Sequence, residues 1–143
     1  MKALGYDKID IAPPKPSLAW MDKVVIDGTT AYVSGHPAGQ GKVPSEVSVE
    51  DGYKAAATAM ANALQTTRAA LGSLDRIERV LRVTGYVNVD TDFHDVSKVI
   101  HGASELLHEV FGDAGKHART AIGTAQLPSN CAAEVELILK VKP

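Results

Sequence analysis

The chain has 143 residues, 45% of them hydrophobic, and a formal net charge of −2. This length suits one domain with a proper hydrophobic core, and we expect residues 1–143 to form it. The charge balance shows no basic excess of the kind that favours nucleic acid as a partner. No apolar run reaches the roughly 18 residues that a membrane-spanning helix needs. A single cysteine, Cys131, excludes an internal disulfide, and together with the polar N-terminal stretch it favours a cytoplasmic protein.

The N-terminal part predicts an extended lead-in followed by a β-hairpin. Residues 1–20 contain several prolines, which favour extended backbone. Segments 24–26 and 30–34 are rich in residues that favour β-strands. Asp27 and Gly28 between them form a strong signal for a tight turn, so the two segments are expected to pair.

Two segments predict helices. In the first, Ser48 is a suitable N-cap, Asp51 lies three residues further on, and Gly72 suits the C-terminal stop. Its apolar face is mostly small, which favours close packing on a sheet: Tyr53, Ala56, Ala57, Met60, Leu64 and Leu71. The second segment, 91–112, ends at Gly112. Its apolar stripe consists of larger residues: Val96, Val99, Ile100, Ala103, Leu107, Val110 and Phe111.

Three more segments predict strands. Segment 77–90 alternates, which is typical of a half-buried strand. One expected face consists of Leu81, Val83, Val87 and Val89, and the other of Arg82, Thr84, Tyr86 and Asn88. Two closing strands follow, the first beginning near Arg119 and the second carrying Glu134 and Glu136. Because a short turn joins them, we expect these two strands to pair as a hairpin.

The predicted order of elements is β-β-α-β-α-β-β, which one sheet with two helices on one face would satisfy. We therefore expect an α+β fold. The other face of that sheet would carry polar groups mixed with Tyr32 or Ile138. Such a face suits a subunit interface, so we expect a homo-oligomer with sites between subunits.

Two other patterns fail as cofactor or metal sites. The stretch "GHPAGQGKV" resembles a phosphate-binding loop, but His36 stands where that loop needs glycine, and no Ser or Thr follows Lys42. His94, His101 and His108 recur every seven residues. On a helix that spacing separates neighbours by about 10.5 Å, too far to share one metal ion. No metal and no cofactor is expected.

Arg119 and Glu134 form the most informative pair in the sequence. The simpler interpretation is an ion pair on the surface of a hairpin. The alternative is a site that holds an anionic substrate, because a guanidinium fork can bind a carboxylate with two parallel hydrogen bonds. Arg119 lies near a strand start, and Ala118 and Ala121 leave space beside it. The residues alone leave both interpretations open.

Several stretches together resemble the Rid family, the reactive intermediate deaminases, also called the YjgF or L-PSP family. The most specific is "ARTAIGTAQLPSNCAAEVELI", an Ala-Arg strand, a Leu-Pro turn and a Glu-x-Glu strand. "YVSGHPA" resembles the family's Ser-Gly motif. "EDGYKAAATAMANAL", "LGSLDRIERVLRVTGYVN" and "KVIHGASELLHEVFG" resemble its two helices and central strand. The resemblance covers nearly the whole chain from about residue 24 onward.

The resemblance implies a chorismate-mutase-like fold with one mixed sheet, and a homotrimer with clefts between subunits. For the active branch it implies hydrolysis of small 2-imino or enamine acids to 2-oxo acids and ammonia. Arg119 matches the arginine that holds the substrate carboxylate, and Glu134 matches the acid that handles the attacking water. Ser34, with Gly35 beside it, matches the serine at the cleft.

Three positions depart from the best-known type of this family. His101 falls where relatives often have asparagine, and Ala121 stands where they have cysteine. Met21 lies near the place of an N-terminal tyrosine. These differences concern the substrate range more than the reaction itself.

Two alternative functions remain. A non-catalytic protein could use the same clefts to bind a small carboxylate metabolite, as a sensor or chaperone-like protein. An endoribonuclease is the other, since some relatives are reported to have that activity. The acidic balance disfavours it, because phosphate backbones demand a cationic surface.

Overall fold

The computed structural model describes residues 15–143, so the expected lead-in over 1–20 lies mostly outside the described residues. Residues 15–20 contain no helix or strand. The elements then follow in the predicted order. They are β1 (Val24–Asp27), β2 (Thr30–Ala38), α1 (Val49–Leu71), β3 (Ile77–Asn88), α2 (Val96–Phe111), β4 (Ala118–Thr124) and β5 (Ala133–Val141).

The strands form one five-stranded sheet in the order β1-β2-β5-β3-β4. β3 and β4 are parallel, and every other neighbouring pair is antiparallel. Both helices pack on the same face of this mixed sheet. The prediction of an α+β fold with two helices on one face is confirmed.

The prediction that the two closing strands pair with each other is wrong. β3 lies between β4 and β5, and β5 pairs with β2 on its other side. β4 follows the crossover helix α2 and pairs in parallel with β3, the strand before that helix. β5, whose alternate residues are almost all buried, takes the central place instead. A short connection between two strands therefore does not make them neighbours here.

The alternation along β5 defines the two faces of the sheet. Its buried residues face the helices: Ala133, Val135, Leu137, Leu139 and Val141. The residues between them face the side without helices, which we call the open face. Glu134, Glu136 and Ile138 lie on the open face and are half-buried.

The alternation predicted for β3 holds for Val83 and Val87 but fails at Leu81. The pairing of β3 with β5 shifts between Ile77 and Arg79 and again between Val80 and Arg82. Val80 is consequently fully buried, whereas Leu81 is 37% exposed. An inserted residue turns the side chains after it to the other face, and the apolar pattern did not reveal the insertion.

The limits predicted for α1 are confirmed. Ser48 Oγ accepts a hydrogen bond of 3.0 Å from the backbone N–H of Asp51, and Gly72 ends the helix at a positive φ of 86°. The buried stripe is wider than predicted, and Tyr53 and Ala57 are only half-buried. Small residues along this stripe let α1 approach its neighbours closely.

Gly102 marks the closest approach of the two helices. A Cβ atom built at Gly102 would lie 2.0 Å from the carbonyl oxygen of Tyr53 and 3.3 Å from the backbone nitrogen of Ala57. These are backbone atoms, so no side chain can rotate away to make room. The contact therefore sets the distance between α1 and α2.

We expect Gly102→Ala to lower the free energy of unfolding by about 2–3 kcal/mol, because the overpacking outweighs the better helix propensity of alanine. Urea denaturation at one fixed protein concentration measures the change. Ser97→Ala, an exposed change on the same helix, is the control and should stay within about 0.5 kcal/mol. A Gly102→Ala protein more stable than the wild type would contradict the close contact.

Candidate functional site

Arg119 lies on β4 and points toward α2. Its Nη1 donates to Nδ1 of His101 at 3.0 Å and to Oγ of Ser104 at 3.3 Å. His101 and Ser104 are three residues apart on the helix, which puts them on the same face. The structure thus brings together two of the predicted site residues, His101 and Arg119. Ala121 follows on the same face of β4 and packs against the core.

A further polar side chain, that of His117, contacts this group through Ser104. His117, which precedes β4, lies with Nε2 2.9 Å from Oγ of Ser104 and with Nδ1 2.6 Å from the carbonyl oxygen of Gly115. Burial, and less strongly the charge of Arg119, lowers the pKa of His117 below its ordinary value. The ring is therefore neutral at neutral pH. Ser104 was not predicted, although its spacing from His101 could have indicated it.

Ser34 and Gly35 form a bulge in β2. The pairing of β2 with β5 shifts between Val33 and His36, so one extra residue is inserted opposite β5. His36 is buried and holds the bulge, with Nδ1 2.7 Å from the carbonyl oxygen of Ser34 and Nε2 2.8 Å from Oγ1 of Thr66. Burial is the main cause that lowers the pKa of His36. The bulge is therefore tied through a buried histidine to α1.

Glu134 lies beside this bulge on the open face. A Cβ atom at Gly35 would lie 3.0 Å from Oε2 of Glu134, so the missing side chain leaves room for the carboxylate. Burial, and then the charge of Glu136, raises the pKa of Glu134. Glu136 in turn accepts a hydrogen bond of 2.7 Å from the hydroxyl of Tyr86. Ser34, Gly35 and Glu134 therefore form a second group of the predicted site residues.

The two groups do not meet within one chain. Arg119 pairs with Val83 on β3, whereas Glu134 pairs with Tyr86. The offset is about 10 Å along the strands and about 10 Å across two strand spacings. Arg119 also faces the helices, whereas Glu134 faces the open side. The interpretation of Arg119 and Glu134 as an ion pair across a hairpin is therefore wrong.

The open face carries a groove of about 400 Å³. Ser34, Arg82, Thr84 and Glu136 are among its polar lining residues. Beside them, Val25, Tyr32 and Ile138 form an apolar row across β1, β2 and β5. Tyr32 is 49% exposed. The predicted mixture of polar groups with Tyr32 and Ile138 on this face is confirmed, and the subunit interface stays a prediction.

Within residues 15–143, no three His, Cys, Asp or Glu side chains cluster closely enough to hold a metal ion. No helix in the same range has the length and apolar character to cross a membrane.

Residues 15–141 match the family described as "YjgF/chorismate_mutase-like, putative endoribonuclease". Together with the fold, this match shows that the chain belongs to the YjgF/L-PSP family.

Several known proteins are similar to this chain in sequence or structure. Protein TCP17 of Trypanosoma cruzi is 38% identical over 102 residues, which cover 71% of this chain and 64% of TCP17. The crystal structure of Atu1372 from Agrobacterium tumefaciens, a protein of unknown function, has a TM-score of 0.83 at 35% identity, covering 87% of this chain and 85% of that one. A "putative endoribonuclease" from Shewanella oneidensis has a TM-score of 0.89 at 28% identity, covering 98% and 97%.

We expect the carboxyl group of Glu134 to titrate above the ordinary glutamate pKa of 4.5, as carbon-13 NMR of the side chain can measure. Because the folded chain then binds this proton more tightly than the unfolded chain, ionisation of Glu134 reduces stability as the pH rises through that range. Glu136→Gln should lower the midpoint by removing a neighbouring negative charge. Glu50→Gln, at an exposed position on α1, should leave it unchanged. A midpoint at or below 4.5 would contradict the burial of Glu134.

Proposed function

We propose that the protein hydrolyses small 2-imino or enamine acids to 2-oxo acids and ammonia, in clefts between the subunits of a homotrimer. In this reaction water adds to the carbon of the protonated C=N bond, and its proton passes to a base. The amino group of the resulting tetrahedral intermediate then takes up a proton and leaves as ammonia. The remaining hydroxyl loses its proton as the C=O bond forms.

The observation that carries the proposal is that Arg119 is held by hydrogen bonds to uncharged partners. Its two partners in the described chain, His101 and Ser104, both act as uncharged acceptors. They hold the guanidinium without neutralising its charge. A half-buried cation held in this way suits an anionic ligand. A substrate carboxylate would satisfy the charge and fix the adjacent C=N carbon in place.

Glu134 supports the water step. A general base works best when its pKa lies near the working pH, and burial shifts the pKa of Glu134 in that direction. The same carboxyl group, once protonated, can return the proton to the leaving amine. The absence of a side chain at Gly35 leaves room for this carboxylate beside the bulge. No metal or cofactor is required, because a protonated imine is already electrophilic.

The distance between the two groups is the reason for placing the site between subunits. Arg119 on β4 lies near one edge of the sheet, and the Ser34–Gly35 bulge and Glu134 lie on the open face of β2 and β5. One substrate can touch both only if β4 of one copy approaches the open face of another. The exposed apolar side chains of Tyr32 and Ile122 on that face suit such an approach.

We expect Arg119→Lys to lower kcat/KM about 10- to 100-fold, because lysine cannot form the two parallel hydrogen bonds. Glu134→Gln should lower kcat about 100-fold, because the amide cannot accept the proton of water. In the assay, an amino-acid oxidase generates the imine and semicarbazide traps it, while the protein competes by hydrolysing it.

Arg68→Lys and Glu50→Gln are the matched controls, since both residues are exposed on α1. They should behave like the wild type. Tight binding of a 2-oxo acid without imine loss from any precursor would favour a non-catalytic binding protein. RNA cleavage without imine loss would favour an endoribonuclease.

A mixing experiment tests whether the site is shared between subunits. Arg119→Ala and Glu134→Ala chains, each inactive alone, are unfolded together in equal amounts and refolded. If every cleft takes Arg119 from one copy and Glu134 from another, random assembly restores both residues in about one quarter of the clefts. We therefore expect about 25% of wild-type activity in the mixture. No recovery, with the refolded wild type fully active, would place both residues of a site on the same chain.

A further inference from the structure

A chain of hydrogen bonds runs from a backbone carbonyl to Arg119. It begins at the carbonyl oxygen of Gly115, passes through both nitrogens of His117 and the hydroxyl of Ser104, and ends at Nη1 of Arg119. His101 holds the same nitrogen from a second side. The imine chemistry proposed above uses Ser104 only as an acceptor for Arg119 and assigns no role to His117.

The direction of each hydrogen bond follows from what its atoms can do. The carbonyl of Gly115 can only accept, so Nδ1 of His117 carries the proton and donates it. In the neutral ring, Nε2 must then accept, and the hydroxyl of Ser104 donates to it. The oxygen of Ser104 is left with its lone pairs facing Arg119. The carbonyl of Gly115 thereby sets the orientation of the Ser104 hydroxyl, which is two hydrogen bonds away.

The two contacts at Nη1 decide which edge of the guanidinium stays available. Nη1 carries two hydrogens, and His101 and Ser104 take one each. A fork that uses Nη1 together with Nη2 is therefore occupied. The other parallel pair of donors is Nε–H and Nη2–H, and the hydrogen bonds of Arg119 within residues 15–143 do not use it. A carboxylate that binds with two hydrogen bonds must meet this side-on edge.

We propose that Ser104 and His117 are positioning residues that turn the Nε/Nη2 edge of Arg119 toward the substrate carboxylate. This inference rests on the proposed function, in which Arg119 holds that carboxylate. Without the hydroxyl of Ser104, one hydrogen on Nη1 loses its acceptor, and the guanidinium, then held by His101 alone, gains rotational freedom. The carboxylate would then be held less well, while the water step at Glu134 would be unaffected.

The test compares Ser104→Ala with Ser104→Thr, which keeps the hydroxyl, and with Ser97→Ala, an exposed serine on the same helix. We expect Ser104→Ala to raise KM for the imino acid about three- to tenfold with kcat within about twofold. The Kd of 2-oxobutanoate, a product-like probe, should rise by a similar factor. Ser104→Thr should recover most of both losses, and Ser97→Ala should change neither. His117→Phe, which keeps a ring without nitrogens, should act in the same direction as Ser104→Ala.

Nitrogen-15 NMR of the unliganded protein supplies a readout that needs no turnover. We expect the signals of His117 to show the proton on Nδ1, and the Nε signal of Arg119 to shift in Ser104→Ala. If the wild type hydrolyses no imine, the proposed function fails, while the shift and the weaker 2-oxobutanoate binding would still support the positioning role. An unchanged Arg119 signal in Ser104→Ala overturns it, as does a fall in kcat with KM and Kd unchanged.

Discussion

The central place of β5 is the constraint on which the rest of the molecule depends. Its alternate residues close the core beneath both helices, and the residues between them must therefore face the open side. Glu134 is one of these, so the burial of Ala133 and Val135 determines its direction. Because β3 then lies between β5 and β4, the same arrangement places Arg119 two strands away. A single packing requirement thus separates the two residues that the sequence motif places close together.

In the proposed function, this separation makes the reaction depend on the assembly of subunits. Each copy of the chain carries a cationic group near one edge of its sheet and an acidic group, beside a strand bulge, on its open face. Under the proposed function, neither group alone would hold both the carboxylate and the C=N carbon of the substrate. The features that hold each group are local and differ in kind. Arg119 depends on hydrogen bonds from α2, whereas Glu134 depends on a missing side chain at Gly35 and on partial burial.

Local signals in the sequence predicted the elements well. The cap at Ser48 and the stop at Gly72 gave the limits of α1, because each satisfies backbone groups that a helix leaves unpaired. Pairing was harder, because alternation shows which residues share a face without showing which strand lies alongside. The short connection between β4 and β5 predicts a hairpin, but β3 lies between these two strands. The alternation predicts the wrong face for Leu81. The inserted residue in β3 cannot be recognised from the sequence, because Val80 beside Leu81 is also apolar.

The sequence predicts the individual residues of the site, but only part of their arrangement in space. His101 contacts Arg119, and Glu134 lies beside the bulge at Ser34 and Gly35. The face of the sheet on which each group lies could be assigned only from the order of the strands. The close backbone contact at Gly102 has a consequence for the first group. Gly102 lies between His101 and Ser104, so the carbonyl of Tyr53 on α1 fixes the height and rotation of the helical turn that holds Arg119. The direction of the guanidinium therefore depends on the neighbouring helix, and substitutions along α1 can reorient Arg119 without touching it.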